Sequence, residues 1–374
     1  MRTIYDLVDV AELTFTAREI LERETDNRLR AFLPYREVAD IDYRFVRAQR
    51  ANRAASIRAF DTPAQRGRRP GATETRGSLP SISEILDLTE SETLRLRRLA
   101  GTPVGQAIRD NIFGDAALTA QAVANRLELL RGEVLSTGRI AIDEGGVVQE
   151  IDYQVPQDLV VSAPIGWDVL ADADPVTDLF GWLEAYNDAG NDGAGVLVTS
   201  TRVRGLMLRS PVLRELARGP GSATSIVTVD ELNRILQAHG LPLVWTYDRK
   251  VEDADGVEHR VIPEGKVIFL PGDGDQARRL GETQMGVTEE AVAAAESSQV
   301  QLTADDAPGL MVVPLRQDHP PLTATLATCI GLPVLSDPSR VLIADVLSDP
   351  AGEGEGEGEG EGEGEGEGEG ETQG

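Results

Sequence analysis

Hydrophobic positions along this chain recur in two periods, and the changes of period mark out its elements. From Asp115, Leu118, Val123, Leu127, Leu130 and Val134 follow at three- to five-residue steps, which gathers them on one stripe of a helix. Asp115 stands where an N-cap belongs. The twenty residues to Val134 make a rod of about 30 Å at roughly 1.5 Å per residue. Segments Ser91 to Leu99 and Gln106 to Phe113 extend this helical region, with Gly114 as a weak joint. The period then drops to two: Arg139 to Asp143 and Val147 to Tyr153 predict a hairpin through Glu144-Gly145-Gly146.

The middle of the chain alternates helices and strands. Asp174 before Pro175 is a cap followed by the residue suited to a first helical position, and Val176, Leu179, Phe180 and Leu183 predict the buried face. Val196 to Thr199 is a short apolar strand. Ser210 before Pro211 opens another helix, which Gly219 closes. Thr228 and Glu231 have capping-box spacing, Leu232, Ile235 and Leu236 supply a face, and Gly240 ends the helix. Two or three strands follow between Leu241 and Pro271, with turns at Asp255-Gly256 and Pro263-Glu264-Gly265. An alanine-rich helix surrounds Val292, and Leu310 to Leu315 and Arg340 to Val346 read as sheet strands. The class is α+β.

Upstream, IDYRFVRA from Ile41 and RAASIRAF from Arg53 alternate in the strand period. The next stretch, TPAQRGRRPGATETRGS, has three glycines, two prolines and no period. It predicts an extended, solvated loop of about twenty residues, which compact domains rarely hold without a use for it.

Charge changes this picture. The 374 residues carry a formal net charge of -27, from 63 acidic and 36 basic residues, unlike a general nucleic-acid binder. Ten glutamates of that surplus lie in a strict Gly-Glu alternation from Gly352 to Glu371. With no apolar side chain and adjacent carboxylates that repel, this tail predicts a disordered, extended polyanion. Between Arg28 and Pro80 the sign reverses, with twelve arginines against five acidic residues. Basic charge is almost all arginine, the only lysines being Lys250 and Lys266. A single cysteine, Cys329, forms no intrachain disulfide, so the fold needs no oxidising compartment. The N-terminal stretch is broken by Asp6, Asp9 and Glu12, where a secretory signal needs a basic start and an unbroken apolar run. No stretch sustains the roughly 20 apolar residues of a membrane-spanning helix, so no membrane partner is expected.

Enzyme motifs are missing: the sequence has no G-x-x-x-x-G-K-[ST] loop, G-x-S-x-G elbow or H-E-x-x-H helix. His239, His259 and His319 are scattered without convergent partners and read as surface or turn residues. Glu252 to Gly256 resembles part of a calcium loop but lacks the later glutamate at the required spacing, so a hairpin turn is expected. Gly272-Asp273-Gly274-Asp275 lacks the lysine and hydroxyl of a phosphate cradle and reads as a loop. No metal or cofactor is expected. Arg66, Arg68, Arg69 and Arg76 admit three roles: a solvated loop, a nucleic-acid-binding arm, or charge complementarity to an acidic neighbouring copy.

The order of these parts is a short N-terminal arm, a glycine- and arginine-rich loop between strands, a long helix, a central α+β module and a return strand. It resembles the lambda-type major capsid proteins of the major capsid protein E family, which share the Hong Kong 97 phage capsid fold. The closer likeness is the strand-turn-strand stretch Trp245 to Asp248, Asp255-Gly256-Val257 and Ile262 to Pro271. The resemblance covers about residues 25 to 346. It implies an N-terminal arm over 1–40, an extended loop over 41–88, a peripheral domain over 89–155 and 308–350 built on the long helix, and an axial domain over 156–307. The tail, 351–374, has no counterpart in it.

The resemblance further implies a non-enzymatic subunit that forms pentamers and hexamers, closes into an icosahedral head around double-stranded DNA, and works beside portal, scaffold and decoration proteins. Such a subunit is assembled in the host cytoplasm and ends in the virion. Two competing readings are an encapsulin-like compartment shell, which shares the fold, and a cytosolic enzyme without a recognisable motif.

Overall fold

The computed structural model describes residues 2–3, 9–23, 25–48, 72–92, 104–219, 226–253, 255–272, 280–296, 308–319 and 321–348, with isolated positions between 54 and 63 and at 94. The chain opens with β1 (Arg2–Thr3), helix α1 (Val10–Arg23), β2 (Tyr35–Glu37), the pair β3 (Asp42–Ala48) and β4 (Ala72–Ser78), β5 (Ser81–Leu88), and a long helix α2 (Val104–Thr137). The hairpin β6 (Arg139–Glu144) and β7 (Val147–Asp152) leads into a central module. That module holds β8 (Val160–Ser162), α3 (Pro175–Asp188), β9 (Val196–Thr199), α4 (Thr201–Arg209), α5 (Pro211–Arg218), α6 (Val229–Ala238) and β10 (Leu243–Thr246). It continues through the hairpin β11 (Lys250–Glu252) and β12 (Glu258–Arg260) to β13 (Lys266–Leu270). Last come β14 (Gly281–Met285), α7 (Glu289–Glu296), β15 (Met311–Gln317), β16 (Leu322–Leu335) and β17 (Leu342–Asp345).

Two sheets organise the molecule. The larger has the order β1-β15-β16-β14-β2 with β5 also on β16, and the second runs β10-β9-β13-β17-β8. The second is buried on both faces, as its unbroken apolar strands require. Leu197, Val267, Phe269, Leu342 and Ala344 face a core with Trp167, Leu179, Tyr186, Leu213, Leu232 and Leu236 under the module's helices. Their chain neighbours Val198, Ile268, Leu270 and Ile343 face Leu130, Val134 and Leu135 of α2. Further along, Val123, Ala124 and Leu127 of α2 pack with Leu13, Ala17 and Leu21 of α1 and with Val312, Ala327 and Cys329 of the larger sheet. One helix thus serves both sheets. A Cβ on its Gly132 would lie 1.9 Å from the Val261 carbonyl oxygen, so glycine is what lets backbone meet backbone there.

Several expectations stand as written. The β6–β7 turn has both Gly145 and Gly146 at positive φ (59° and 82°), the geometry a two-residue hairpin needs. Asp174 caps α3 through the N–H groups of Val176 and Thr177, and Thr228 and Glu231 form a reciprocal capping box.

Others are corrected. Helix α2 runs unbroken through Gly114 and Asp115, so Asp115 is no cap; thirty-four residues of largely helix-favouring sequence outweigh one glycine. Leu118 and Phe180, expected on buried faces, are 64% and 40% exposed, while Trp182 and Tyr186 fill the α3 core. The stretch from Ala72, read as loop, is β4, because pairing with β3 supplies what its own pattern lacks. No strand occurs among the described residues of 53–60. Residues expected as an arm include α1, whose Val10, Leu13, Thr14, Ala17 and Leu21 make a helical stripe against the subunit's own core. The division at 307/308 cuts across the sheets: β14 pairs with β16, whereas β17 enters the module between β13 and β8. Segment 273–279 and the Gly-Glu tail lie outside the described residues.

Candidate assembly interface

Strands β3 and β4 form a two-stranded sheet of their own, in register from Asp42 opposite Ser78 to Ala48 opposite Ala72. The pair is fixed at its base, where Leu79 donates its N–H to the Ile41 carbonyl (2.9 Å) and Gln149 of β7 reaches the Ser78 carbonyl (3.1 Å). Tyr43 is buried there, and its ring lies so close over Gly77 that a Cβ would stand 2.5 Å from it. Seven residues at about 3.4 Å each carry the far end some 20 Å from this base. A lone two-stranded ribbon is marginal in water, so it calls for a surface to lie on. Arg76 sits in β4 opposite Arg44 of β3. Arg66, Arg68 and Arg69 lie between the two strands, outside the described residues.

Behind this base a buried polar network holds the N-terminal segment to the core. Glu128 and Arg131, both fully buried on α2, pair at 3.1 Å. The Glu128 carboxylate accepts the Leu29 N–H (2.8 Å) and the Tyr247 hydroxyl (2.5 Å). Arg131 donates to Thr283 (2.9 Å), which donates in turn to the Leu33 carbonyl (2.8 Å), and its guanidinium lies 4.6 Å from the centre of the Tyr35 ring. Burial, together with the Glu128 charge, pushes the Tyr247 phenol well above its ordinary value. Glu128 and Arg131, two charges three residues apart within an apolar helical stripe, are the only sign of this network in the sequence. Arg18 adds a second clasp from α1, donating to the carbonyls of Leu310 and Pro308 (2.8 Å each).

Two grooves of about 640 and 460 Å³ meet along the outward side of α2, where Leu129 and Leu130 line both. Their walls are β5, the β6–β7 hairpin and the β11–β12 hairpin. Seven carboxylates line them against two arginines, Arg126 and Arg260. Both arginines are already engaged, Arg126 with Glu144 and Arg260 with Asp248 and Glu264. Burial raises the Glu133 carboxyl above its usual value, against the hydrogen bond it accepts from the Ala141 N–H. The turn that resembled a calcium loop is a hairpin: Asp253 accepts the N–H groups of Asp255 and Val257 (2.9 Å each) and meets His259 Nε2 at 2.6 Å. Asp143, Glu252 and Asp255 are exposed and make no side-chain hydrogen bond or ion pair among the described residues. His239 rests edge-on against Phe180. A further groove of about 670 Å³, lined by Phe32, Val196 and Trp245 among others, flanks the edge strand β10. Among the described residues no helix is long and apolar enough to cross a membrane, and no cluster of histidine, cysteine and carboxylate side chains could hold a metal ion.

The fold is shared with solved phage proteins. A protein assigned as the capsid protein of a prophage in Escherichia coli CFT073 superposes with a TM-score of 0.59 at 15% identity, over 91% of this chain and 99% of that one. A phage-related protein of Bordetella bronchiseptica RB50 gives 0.56 at 14% identity, over 92% and 99%. At such identities the likeness is one of fold, here the Hong Kong 97-like capsid fold. No curated protein sequence matches the chain. The sequence model of the phage major capsid protein E family matches residues 41–346, from the base of the β3–β4 ribbon to the end of β17. With most of its length so matched, the chain belongs to the phage major capsid protein E family and is a structural capsid protein.

Proposed function

We propose that this subunit forms pentamers and hexamers that close into the icosahedral head of a tailed phage, around double-stranded DNA held by proximity and not by sequence. It carries no catalytic step. Scaffold, portal and, in the finished particle, a decoration protein are its partners, and assembly takes place in the host cytoplasm. The N-terminal segment, the β3–β4 ribbon, the peripheral part built on α2 and the axial module around the second sheet take the roles of arm, extended loop and two domains.

The observation that carries this proposal is the ribbon itself, a two-stranded arginine-bearing extension held at its base, within the region matched by the family. Closed shells of identical subunits need such reaching contacts. In this scheme Arg66, Arg68, Arg69 and Arg76 meet carboxylates of a neighbouring copy, each exposed pair contributing about 0.2–1 kcal/mol, repeated over the whole shell. The four-serine variant should fold as a subunit yet assemble less well and with a weaker salt dependence than the parent, read by light scattering and electron microscopy. Normal shells with unchanged salt dependence would remove the loop from this role; a parent protein that forms no ring or particle in any condition would remove the proposal as a whole.

A further inference from the structure

We infer that the groove beside β10 takes an extended, acidic segment of a second protein, bound as one more strand on the edge of the second sheet. Strand β10 ends that sheet and pairs with β9 alone. Just beyond it, Tyr247 donates its N–H to the Thr199 carbonyl of β9 (2.9 Å). Backbone groups of successive strand residues point to opposite sides, so Leu243 and Trp245 face β9 as Tyr247 does, while Val244 and Thr246 present their N–H and C=O outward. Among the described residues no backbone hydrogen bond meets these outward groups, and such an edge is a template for a further strand. The groove alongside has room for one chain. Phe32 and Trp245, 5.7 Å apart between ring centroids, floor it beside Val196, and the N-terminal segment from Glu22 to Tyr35 supplies the rest of its lining. Its volume of about 670 Å³ suits a short peptide, whereas the edge of a second folded sheet would meet the N-terminal segment first. Every second side chain of an added strand would lie over the aromatic floor. Charge gives the remaining chemistry of the occupant. Arg28 and Arg30 line the groove, and Arg204 reaches the Thr246 hydroxyl from α4 (3.4 Å). Arg30 is engaged by the carbonyls of Leu21 and Glu22 (2.5 and 2.6 Å), which leave its charge in place. None of the three arginines meets a carboxylate among the described residues, and Glu22 is the one acidic residue of the lining. On a chain of net charge -27, this basic edge is matched by a partner segment that carries carboxylates.

Peptide binding to the full-length subunit tests this. The probe is a fluorescein-labelled octapeptide of alternating valine and glutamate, which as a strand sets an apolar face on the floor and carboxylates on the other side. Binding is read by fluorescence anisotropy and should slow hydrogen exchange at the Val244 and Thr246 amides by about tenfold or more, with Trp245, already in the ladder, as the internal reference. The same peptide with lysine for glutamate, or the acidic peptide offered to Arg28→Glu, should bind about tenfold more weakly or worse. Thr246→Pro removes an outward N–H and no ladder bond, and should abolish binding. A peptide N-methylated along its pairing edge should fail in the same way on the parent protein, which separates lost pairing from lost folding. Equal affinity for the acidic and basic peptides, undiminished binding of the N-methylated one, unchanged exchange at Val244 and Thr246, or no binding at all overturns the inference. So does slowed exchange at both amides in concentrated subunits without peptide, because it assigns the edge to a second copy of this chain.

Discussion

Glu128 and Arg131 face each other without solvent, and each is tied to a different part of the chain: Glu128 to Leu29 and Tyr247, Arg131 to Thr283. Removing one partner strands the other charge, so Arg131→Met should destabilise the unassembled subunit by about 3–5 kcal/mol, measured by urea denaturation. A surface carboxylate gives the opposite case, where pH and not burial decides. Hydrogen bonds from Arg218, then from the Thr228 backbone and hydroxyl, hold Glu231 at about 2, down from 4.5. A depressed carboxylate stabilises fully above its unfolded value and loses that contribution as pH falls through the folded one. The α6 cap therefore weakens between about 4.5 and about 2. Arg218→Gln should raise the Glu231 midpoint toward 4.5, seen by carboxyl NMR titration. Cys329 is fully buried and its thiol is pushed up to about 12. It should stay unreactive toward a thiol reagent until the subunit unfolds.

Two of the glycines of helix α2, Gly114 and Gly132, stand in opposite circumstances. Around Gly114 nothing lies within 4 Å of an added Cβ, so Gly114→Ala should stabilise the subunit by about 0.8–1 kcal/mol. At Gly132 the same methyl meets the Val261 backbone, and Gly132→Ala should cost about 1–3 kcal/mol. Thermal melts of the two variants should move in opposite directions, and parallel shifts would refute the packing account. The contrast also marks what the sequence could tell. Caps, the Gly145-Gly146 turn and the apolar strands of the second sheet were legible, since each rests on a few neighbouring residues. Strand β16 was not: its fourteen residues include Gly331 and Pro333 and interleave threonine with alanine, so only pairing with β15, β5 and β14 makes it a strand. Strand β4 was hidden in the same way. Helix α4, rich in arginine and interrupted by Gly205, gave no clear face although Ser200 caps it. The acidic grooves along α2 were out of reach because their carboxylates come from β5, α2 and two hairpins far apart in sequence, whereas the loop's basic charge could be read directly.

At the scale of the particle, residues 41–88 contain no lysine, and Lys250 and Lys266 pair with Glu258 and Asp345 within the central module. Lysine-asparagine links between subunits would need an amine in the extended loop. Mature shells should therefore run as a monomer band in denaturing electrophoresis, and a covalent ladder would contradict this. The ten tail glutamates facing packaged DNA would add repulsion over the roughly 8–10 Å that salt leaves unscreened. The tail should accordingly lie outside, and a glutamate-specific protease should shorten the subunit in DNA-filled particles without releasing DNA. Strand β17, finally, bears on how the subunit reaches its fold at all. It separates β13 from β8, yet it lies 72 residues beyond the end of β13, after strands that belong to the other sheet. Strand β8 has no partner in the second sheet until that late strand arrives, so the two sheets should form in one slow cooperative step dominated by non-local contacts. A fragment ending before Leu342 should stay unfolded, which would keep incomplete chains out of the growing shell.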